Sequence, residues 1–519
     1  MNMQDTVLGI ELGSTRIKAV LVDKDHAIIA SGSHEWENIL ERGVWTYHYE
    51  DIINGVQDCF MKLQHDVMDT IGVPLTTTGA IGVSAMMHGY LALDEHDRPL
   101  TEFRTWRNRT TGKAAKELSE KFSFNIPLRW SVAHLYQAVL NREEHVTRIK
   151  KITTLAGYIH YLLTGKFIVG VGDASGIFPI DTKNRYDESM MKTFNHLVED
   201  YDLPWNIEDI LPAINMAGEQ AGRLTETGAR LLDPTGTMRE GILFAPPEGD
   251  AGTGMTATNS VRVRSGNVSA GTSAFAMIVL DKPIEVHREI DIVTTPTGKP
   301  VAMIHCSNCT SDINAWINLF GEFAENLGVN IPESKLYRML YSKALEGRPD
   351  CEGLLSYNYY SGEGITDFDE GRPVLLRKPD AKMDLASFMR THMTSALATL
   401  RLGMDILKDE HVEIDRIYGH GGYFKTPEVG QRILSAAIDI PVSIMQSAAE
   451  GGPYGMALLC AYMIWNTGES LEDYLDNKVF DKVAHKTLMA SSDEVDGFGR
   501  FISNYRKALK VERAAVESF

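Results

Sequence analysis

The chain has 519 residues and a formal net charge of −19, with 44% hydrophobic and 23% charged residues. Its length favours two domains, and its composition is that of an ordinary globular protein. The acidic balance argues against nucleic acid or anionic membranes as main partners. Five cysteines give no disulfide framework, and the lone Cys306-x-x-Cys309 pair does not define a metal site. With no signal segment and no apolar run of about 18–20 residues, we expect a cytoplasmic protein.

The first half of the chain is predicted to start with strands. In chain order we expect strands at 7–10, 17–22 and 26–30, a helix at 51–71, a strand at 80–83, a mainly helical stretch at 110–165, a turn-rich stretch at 170–187 and a strand at 242–245. The helix at 51–71 carries apolar residues three and four apart, which is the helical period. Pro246 and Pro247 follow the last strand, and we place the domain boundary in this region.

The second half begins again with strands. We then expect a helical stripe over 389–407, a strand at 414–418, a helix at 427–438, a strand at 440–445 and a helix at 454–465. Pro427 suits the first turn of its helix. This alternation predicts an α/β unit with a ligand at the carboxyl ends of the strands. The predicted organisation is an N-terminal lobe at 1–250, a C-terminal lobe at 251–470 and a helical appendage at 471–519.

Two segments share one pattern, in which a Gly precedes two hydroxyl residues, an apolar strand and an Asp. Gly13-Ser14-Thr15 opens the first copy and Gly271-Thr272-Ser273 opens the second. Such a turn lets backbone N–H groups and hydroxyls surround a phosphate. The pair therefore predicts a duplicated ATPase core of the actin and sugar-kinase type, although two unrelated hairpins would give the same pattern. The Gly patterns of P-loops and dinucleotide sites do not occur in the sequence.

Two carboxylates follow predicted strands. Asp250 lies between glycines, where a substrate can approach it closely and lose a proton to it during phosphoryl transfer. From spacing alone, an ordinary Asp-Gly turn is favoured over this role. Glu11 precedes the first Gly-hydroxyl turn, where it would either orient the waters of Mg²⁺ or stand as a solvated charge.

Two further segments have the composition of a sugar site. Met87-His88-Gly89 follows the strand at 80–83, and His88 would either line a pocket or serve as a structural histidine. Trp106 and Asn108 lie between arginines, which combines an aromatic platform with hydrogen-bonding groups. A tryptophan that anchors a loop gives the same pattern.

Taken in order, these segments resemble the FGGY carbohydrate kinases. The segments that carry the resemblance are Gly9–Asp23, Met87–Gly89, Trp106–Arg109, Gly172–Ser175, Gly249–Ala251, Ser269–Ser273, Gly419–Gly422 and Glu450–Gly455. In that family they correspond to a first phosphate motif, the substrate motif of the xylulokinase branch, two further substrate segments, the catalytic Asp, a second phosphate motif, and the adenosine motif with the turn after it.

The resemblance implies an α/β fold of two actin-like, ribonuclease H-like domains flanking a deep cleft. It implies an ATP-dependent kinase for a ketopentose such as xylulose or ribulose, with Asp250 as general base. The implied substrate-binding residues are Met87, His88, Gly89, Trp106, Asn108, Asp173 and Asp250. The implied ATP-binding residues are Gly13, Ser14, Thr15, Lys18, Gly271, Thr272, Ser273, Gly421, Gly422 and Lys425. Glu11 and Asp250 would bind Mg²⁺, and a homodimer is a family-level expectation.

Some positions depart from the family pattern. Glu11 and Asn108 each stand where Asp is usual, and His420 and Tyr423 alter a Gly-rich run. One alternative hypothesis is therefore a non-catalytic regulator that binds sugar or nucleotide, and another is a kinase for a different polyol or keto sugar. An ATPase that acts on protein is a third, and the sugar motifs count against it.

Overall fold

A computed structural model describes residues 2–445 and 451–519. The strands are β1 Val7–Leu12, β2 Arg16–Val22, β3 Ile28–Glu35, β4 Ile39–Glu41, β5 Val44–Thr46, β6 Ala80–Ala85, β7 Leu91–Leu93, β8 Lys151–Thr153, β9 Ile168–Gly170, β10 Ala213–Asn215, β11 Leu243–Phe244, β12 Glu248–Gly249, β13 Ser265–Ala270, β14 Ala274–Val279, β15 Ile290–Thr294, β16 Pro300–Cys306, β17 Leu354–Tyr357, β18 Val374–Arg377, β19 Arg416–His420, β20 Val442–Met445 and β21 His485–Leu488.

The helices are α1 Tyr49–Ile71, α2 Gly112–Phe122, α3 Ser131–Leu140, α4 Leu155–Thr164, α5 Val171–Ala174, α6 Glu188–Leu197, α7 Ile207–Ile210, α8 Glu226–Leu232, α9 Asp250–Ala257, α10 Ser311–Asn326, α11 Glu333–Ala344, α12 Leu385–Ser395, α13 Ala398–Asp409, α14 Val429–Ile438, α15 Gly452–Trp465, α16 Leu471–Tyr474 and α17 Ser492–Ser518. Among the described residues, no helix combines the length and the apolar character that crossing a bilayer requires.

The chain divides into two compact units, each assembled from separate stretches. Unit 1 contains Met1–Val261, Asp291–Val301 and Ser447–Lys482. Unit 2 contains Arg262–Ile290, Ala302–Gln446 and Val483–Phe519. These units are not the contiguous stretches 1–250 and 251–470 that the sequence led us to expect, because the segment that carries α15 returns to unit 1.

The main sheet of unit 1 has the strand order β11-β6-β1-β2-β3. β1 and β2 form an antiparallel hairpin, whereas β6 runs parallel to β1. The short strand β12 extends the same edge by pairing in parallel with β6. The carboxyl ends of β1, β6 and β12 therefore lie along one edge of this sheet, where a ligand site is expected in an open α/β sheet.

Helix α15 is buried on nearly all sides and packs against β1 and β6 in unit 1. Glycines in the strands permit this close approach. A Cβ on Gly9 would lie 2.0 Å from the carbonyl oxygen of Pro453, and one on Gly82 would lie 2.4 Å from Met456 Cε. An apolar helix with no polar face gives no sequence signal for its packing partner, so its membership of unit 1 could not be predicted.

The main sheet of unit 2 repeats the arrangement of unit 1. Strands β13 and β14 form an antiparallel hairpin, and β19 runs parallel to β13. β20 continues the sheet in parallel, and β21 follows in antiparallel orientation. In each unit, a hairpin with a Gly-hydroxyl turn thus has a parallel strand beside its first arm, which confirms the predicted duplicated α/β core.

The predicted ends of some helices differ from the ends in the structure. Pro427 was predicted in the first turn of a helix, but α14 begins at Val429, and the preceding residue, Glu428, has a positive φ of 68°. The stripe over 389–407 is two helices, α12 and α13, separated by Ala396 and Leu397. Apolar spacing continues across such a break, because both helices bury apolar residues at helical spacing.

Candidate functional site

The first Gly-hydroxyl turn joins β1 to β2 in unit 1. Trp36 donates from its indole N–H to the carbonyl oxygen of Gly13 (2.7 Å), and Tyr47 donates from its hydroxyl to that of Ser14 (2.6 Å). The indole N–H of Trp106 donates to Oγ of Ser14 at 3.2 Å. Two aromatic side chains thus hold carbonyl groups of the turn, and a third holds the hydroxyl of Ser14. The N–H of Gly13 closes the turn by donating to the carbonyl oxygen of Arg16 at 2.9 Å, and Thr15 is exposed.

Glu11 and Lys18 lie opposite each other on β1 and β2, just before and after this turn. The carboxylate of Glu11 approaches the start of α15 so closely that a Cβ on Gly452 would lie 2.0 Å from its Oε1. A carboxylate is favoured at a helix N-terminus, because the helix dipole is positive there. Glu450, in the segment that resembles the turn after the adenosine motif, lies outside the described residues.

Asp250 is the first residue of α9 and follows β12 directly. Its Oδ1 accepts a hydrogen bond from the backbone N–H of Met87 at 3.1 Å. The residue is open to solvent. The protein that surrounds the carboxyl nevertheless raises the pKa of Asp250 to about 6, against the opposing effect of backbone N–H donors. Asp250 is therefore a solvent-accessible carboxylate whose pKa suits a general base near neutral pH.

Met87, His88 and Gly89 form the loop that leaves β6. His88 has a left-handed backbone with φ of 71° and is buried, and its ring stacks on Trp130 with centroids 6.0 Å apart. A Cβ on Gly176 would lie 2.5 Å from Nδ1 of His88. The loop is also fixed by Ser131, whose hydroxyl donates to the carbonyl oxygen of Gly89 at 2.5 Å. This loop brings Met87 to Asp250 and His88 to the residues that follow α5.

Asp173 lies on α5, fully buried, in the same region of unit 1. Its Oδ2 accepts a hydrogen bond from the hydroxyl of Thr154 at 2.5 Å. Its Oδ1 has no hydrogen-bond partner among the described residues and lies 3.4 Å from the position that a Cβ on Gly249 would occupy. Burial, and secondarily the charge of Asp250, raise the pKa of Asp173 to about 7.

A second buried carboxyl, Glu248, was not predicted from the sequence. It accepts hydrogen bonds from the backbone N–H groups of Asp173 (3.0 Å) and Gly172 (3.4 Å). Glycines leave room for it, since a Cβ on Gly170 would lie 2.2 Å from its Oε1. Burial raises the pKa of Glu248 to about 8. A glutamate at the end of an apolar strand, two residues before the candidate base, was the available signal.

We call Asp173, Glu248 and Asp250 the acid cluster. The charges that shift the pKa of Asp173 and of Glu248 come from other members of the cluster, namely Asp250 and Asp173 respectively. Three carboxyl groups in one region repel one another when ionised, and burial adds a desolvation cost. The arrangement therefore favours keeping at least one of these groups protonated.

Asn108 is buried, and its amide group is engaged by the backbone. Its Oδ1 accepts from the N–H of Trp45 at 2.9 Å, and its Nδ2 donates to the carbonyl oxygens of Trp45 (2.8 Å) and Thr105 (2.9 Å). In this conformation Asn108 joins its own loop to strand β5. Its predicted contact with the sugar stays a prediction, as does that of Trp106, whose indole N–H is used by the first turn.

The second Gly-hydroxyl turn joins β13 to β14 in unit 2. The start of α10 holds its carbonyl groups: the N–H of Cys309 donates to Thr272 (2.9 Å), and the N–H and Oγ1 of Thr310 both donate to Gly271 (2.9 and 2.8 Å). Ser273 closes the turn by accepting from the N–H of Gly271. As in unit 1, the carbonyl side of the turn is bonded to the protein, and the hydroxyl residue Thr272 is exposed.

The loop before α10 is fixed in turn by Glu363, which is fully buried. Oε2 of Glu363 accepts from the backbone N–H of Asn308 at 3.3 Å and from its side-chain Nδ2 at 3.2 Å. Burial raises the pKa of Glu363 to about 7. Glu363 therefore supports the second turn indirectly, because it fixes the loop that bonds Gly271 and Thr272.

The Gly-rich segment after β19 lies beside this turn in unit 2. Gly421 has φ of 98°, and a Cβ there would lie 2.5 Å from the carbonyl oxygen of Ala270 at the end of β13. Gly422 and Lys425 are exposed. Burial lowers the pKa of His420 to about 4, so its ring is neutral at physiological pH. The segment thus presents backbone and one lysine next to the predicted phosphate turn.

The described residues contain no group of three or more His, Cys, Asp or Glu side chains arranged to hold a metal ion. Mg²⁺ bound with nucleotide usually keeps several waters and takes only one or two carboxylates. Glu11 and Glu248 both lie opposite Ser84 in the sheet, so their backbones stand two strand spacings apart, roughly 10 Å, and Asp250 follows Glu248 by two residues. The chemistry of Glu11 and Asp250 fits a hydrated Mg²⁺ held through water and phosphate oxygens.

A duplicated hairpin core with one Gly-hydroxyl turn in each copy is the framework of actin-like phosphotransferases. The sequence matches the N-terminal domain of the FGGY family of carbohydrate kinases over residues 6–236 and the C-terminal domain over residues 266–464. The chain belongs to the FGGY family of carbohydrate kinases, and it is a sugar kinase.

Individual relatives agree on the family and differ in substrate. The chain is 23% identical over 483 residues to a xylulose kinase of Haemophilus influenzae, which covers 90% of this chain and 92% of that protein. A xyloylose kinase structure from Brucella ovis matches with a TM-score of 0.79 at 17% identity, covering 98% and 100% of the two chains. A gluconate kinase structure from Lactobacillus acidophilus also matches with a TM-score of 0.79, at 16% identity and 99% coverage of both chains. At these identities the structural likeness establishes the fold alone.

Proposed function

We propose that the protein transfers the γ-phosphate of MgATP to a hydroxyl group of a ketopentose of the xylulose or ribulose type. The observation that carries this proposal is the 3.1 Å hydrogen bond from the N–H of Met87 to Oδ1 of Asp250. It joins the segment that resembles the xylulokinase substrate motif to the carboxylate in the position of the catalytic Asp. The similarity to xylulose kinases supports the same substrate class.

In the proposed reaction Asp250 is the general base. As a sugar hydroxyl oxygen bonds to the γ-phosphorus, its proton passes to the carboxylate of Asp250, and the bond from phosphorus to the oxygen of ADP breaks. The N–H of Met87 occupies Oδ1, which fixes the carboxylate and leaves Oδ2 to receive the proton. The side chain of Met87, whose Cγ lies 2.8 Å from a Cβ position on Gly249, forms an apolar wall beside this centre.

The two Gly-hydroxyl turns are the proposed phosphate contacts. In unit 1 these are Gly13, Ser14 and Thr15, with Lys18 on the adjoining strand. In unit 2 they are Gly271, Thr272 and Ser273, with Gly421, Gly422 and Lys425 beside them. In each turn the Gly N–H donates to a carbonyl oxygen of the turn, that of Arg16 or of Ser273, whereas Thr15 and Thr272 are exposed and can present their hydroxyls to an anion. Mg²⁺, which Glu11 and Asp250 would hold through water, would neutralise charge on the transferred phosphate.

The acid cluster favours an uncharged sugar over an aldonate. Gluconate carries a carboxylate, and binding it beside the ionised carboxylate of Asp250 would bring like charges together. Within residues 2–445 and 451–519, no basic side chain contributes to the pKa shift of any of these three groups. This is why we propose a ketopentose although gluconate kinases share the fold.

The substrate class is tested by measuring ADP release from MgATP with D-xylulose, L-xylulose, D-ribulose, L-ribulose, glycerol and gluconate. The proposal predicts strong stimulation by one of the four ketopentoses and little by gluconate. Stimulation by gluconate or glycerol alone would reject the ketopentose and keep the kinase. ATP hydrolysis that is indifferent to every sugar would reject both.

A further inference from the structure

The two fully buried members of the acid cluster have different hydrogen-bond partners. Glu248 accepts from backbone N–H groups, which stabilise an anion. Asp173 accepts one hydroxyl hydrogen bond, from Thr154 to Oδ2, and its Oδ1 has no partner among the described residues. Of these two groups, only Asp173 has an oxygen without a hydrogen-bond partner among the described residues, so a proton on its Oδ1 would displace no existing bond.

The unpartnered oxygen lies beside the proposed reaction centre. Oδ1 of Asp173 is 3.4 Å from the Cβ position of Gly249, and the next residue is Asp250. Met87 Cγ is 2.8 Å from that same Cβ position. A buried polar atom without a hydrogen bond is costly, and such atoms in native proteins commonly await a ligand or water.

We propose that Asp173 acts as a neutral carboxylic acid and donates a hydrogen bond from Oδ1 to an acceptor oxygen of the bound sugar. The carbonyl oxygen of a keto sugar is the acceptor that suits it best, because a carbonyl cannot donate and would bind an ionised carboxylate poorly. This inference rests on the proposed function and adds a specificity-determining residue to it. Asp250 would remain ionised and act on the hydroxyl, so two neighbouring carboxyl groups would have opposite proton states.

Several groups around Asp173 influence its proton. The carboxyl groups of Glu248 and Asp250 face Asp173. Burial raises the pKa of Tyr186, and the nearby charge of Asp173 raises the pKa of Tyr186 further. His88 lies against Gly176 in the loop that follows α5. Burial and the charge of Asp250 disfavour ionisation of Asp173, whereas the hydrogen bond from Thr154 favours it. The balance raises the pKa of Asp173 to about 7, which places the change within an accessible pH range.

Asp173→Asn provides a direct test, because an amide donates at every pH. The asparagine oxygen can still accept from Thr154, and its NH₂ group replaces the protonated Oδ1. In the wild type, the KM for the sugar is expected to rise about tenfold per pH unit above the pKa of Asp173. In Asp173→Asn it should stay low and constant from pH 6 to 8.5. Asp173→Leu, which has no donor, should have a high KM throughout.

The increase in Tm that a sugar causes measures sugar binding without turnover. This measurement therefore separates the inference about Asp173 from the proposed function. If a sugar shifts the Tm of the wild type but ADP release never occurs, the kinase assignment fails while the contact of Asp173 is still measured. The inference is overturned if Asp173→Asn weakens sugar binding as much as Asp173→Leu at pH 6. It is also overturned if wild-type binding is constant over the whole pH range, or if no sugar shifts the Tm.

Discussion

The backbone N–H of Met87 donates a hydrogen bond to Oδ1 of Asp250 at 3.1 Å. This contact joins the loop after β6 to the first residue of α9, two elements separated by 163 positions in the sequence. It fixes one oxygen of an otherwise solvent-exposed carboxylate. The proposed general base is thereby held by the same loop that carries the proposed sugar-binding residues, and both are on unit 1.

The reaction should slow at acid pH. Asp250 must be ionised to accept a proton, and its pKa is raised to about 6. Below that value kcat/KM should fall about tenfold per pH unit, because the fraction of ionised base falls by that factor. A pH–rate profile from pH 4.5 to 7 measures this limb. A rate that stays constant down to pH 4.5 would show that no group with this pKa must be ionised.

Asp173→Asn should change how stability depends on pH. The pKa of Asp173 is raised from 3.8 to about 7, so the folded wild type binds more protons than the unfolded chain between these values. The stability that Asp173 contributes to the folded wild type therefore falls as the pH rises from about 4 to about 7. The Tm of Asp173→Asn relative to the wild type should increase over that range. An equal difference in Tm at pH 5 and pH 8 would contradict the shifted pKa.

Glu363→Gln should weaken ATP binding specifically. The substitution weakens the hydrogen bonds that fix the loop bonding Gly271 and Thr272, at a cost of about 1 kcal/mol, which corresponds to roughly a fivefold rise in KM for ATP. The KM for the sugar should not change, because the proposed sugar-binding residues lie on unit 1. Glu333→Gln, at the exposed start of α11 in the same unit, is the matched control. A normal KM for ATP in Glu363→Gln would refute the supporting role of Glu363.

Gly9→Ala should destabilise unit 1. The new Cβ would lie 2.0 Å from the carbonyl oxygen of Pro453 and 2.6 Å from the N of Ala457, both backbone atoms of α15 that cannot move aside independently. Overpacking of this kind costs about 1–3 kcal/mol or more. Urea unfolding measures the loss. Gly112→Ala serves as control, since nothing lies within 4 Å of its Cβ position, and it should leave stability unchanged or slightly higher.

Features that depend on residues adjacent in the sequence could be predicted. The Gly-hydroxyl turns at Gly13 and Gly271 could be predicted because a hairpin is specified by adjacent residues. The packing of α15 on β1 could not, since an apolar helix bears no mark of its partner. Asp173 was expected only through family resemblance, and Glu248 was missed, because a buried carboxyl is identified by groups that are distant in sequence.

The central claim is that Asp250 is the base in a sugar kinase, and Asp250→Asn tests it most directly. ADP release with the best sugar should fall roughly 10²- to 10⁴-fold, while sugar-protected unfolding shows that the sugar still binds. Asp187→Asn is the matched control, because Asp187 caps α6 in the same unit and asparagine caps equally well. It should retain wild-type activity. An Asp250→Asn enzyme that turns over ketopentose at the wild-type rate would contradict the account.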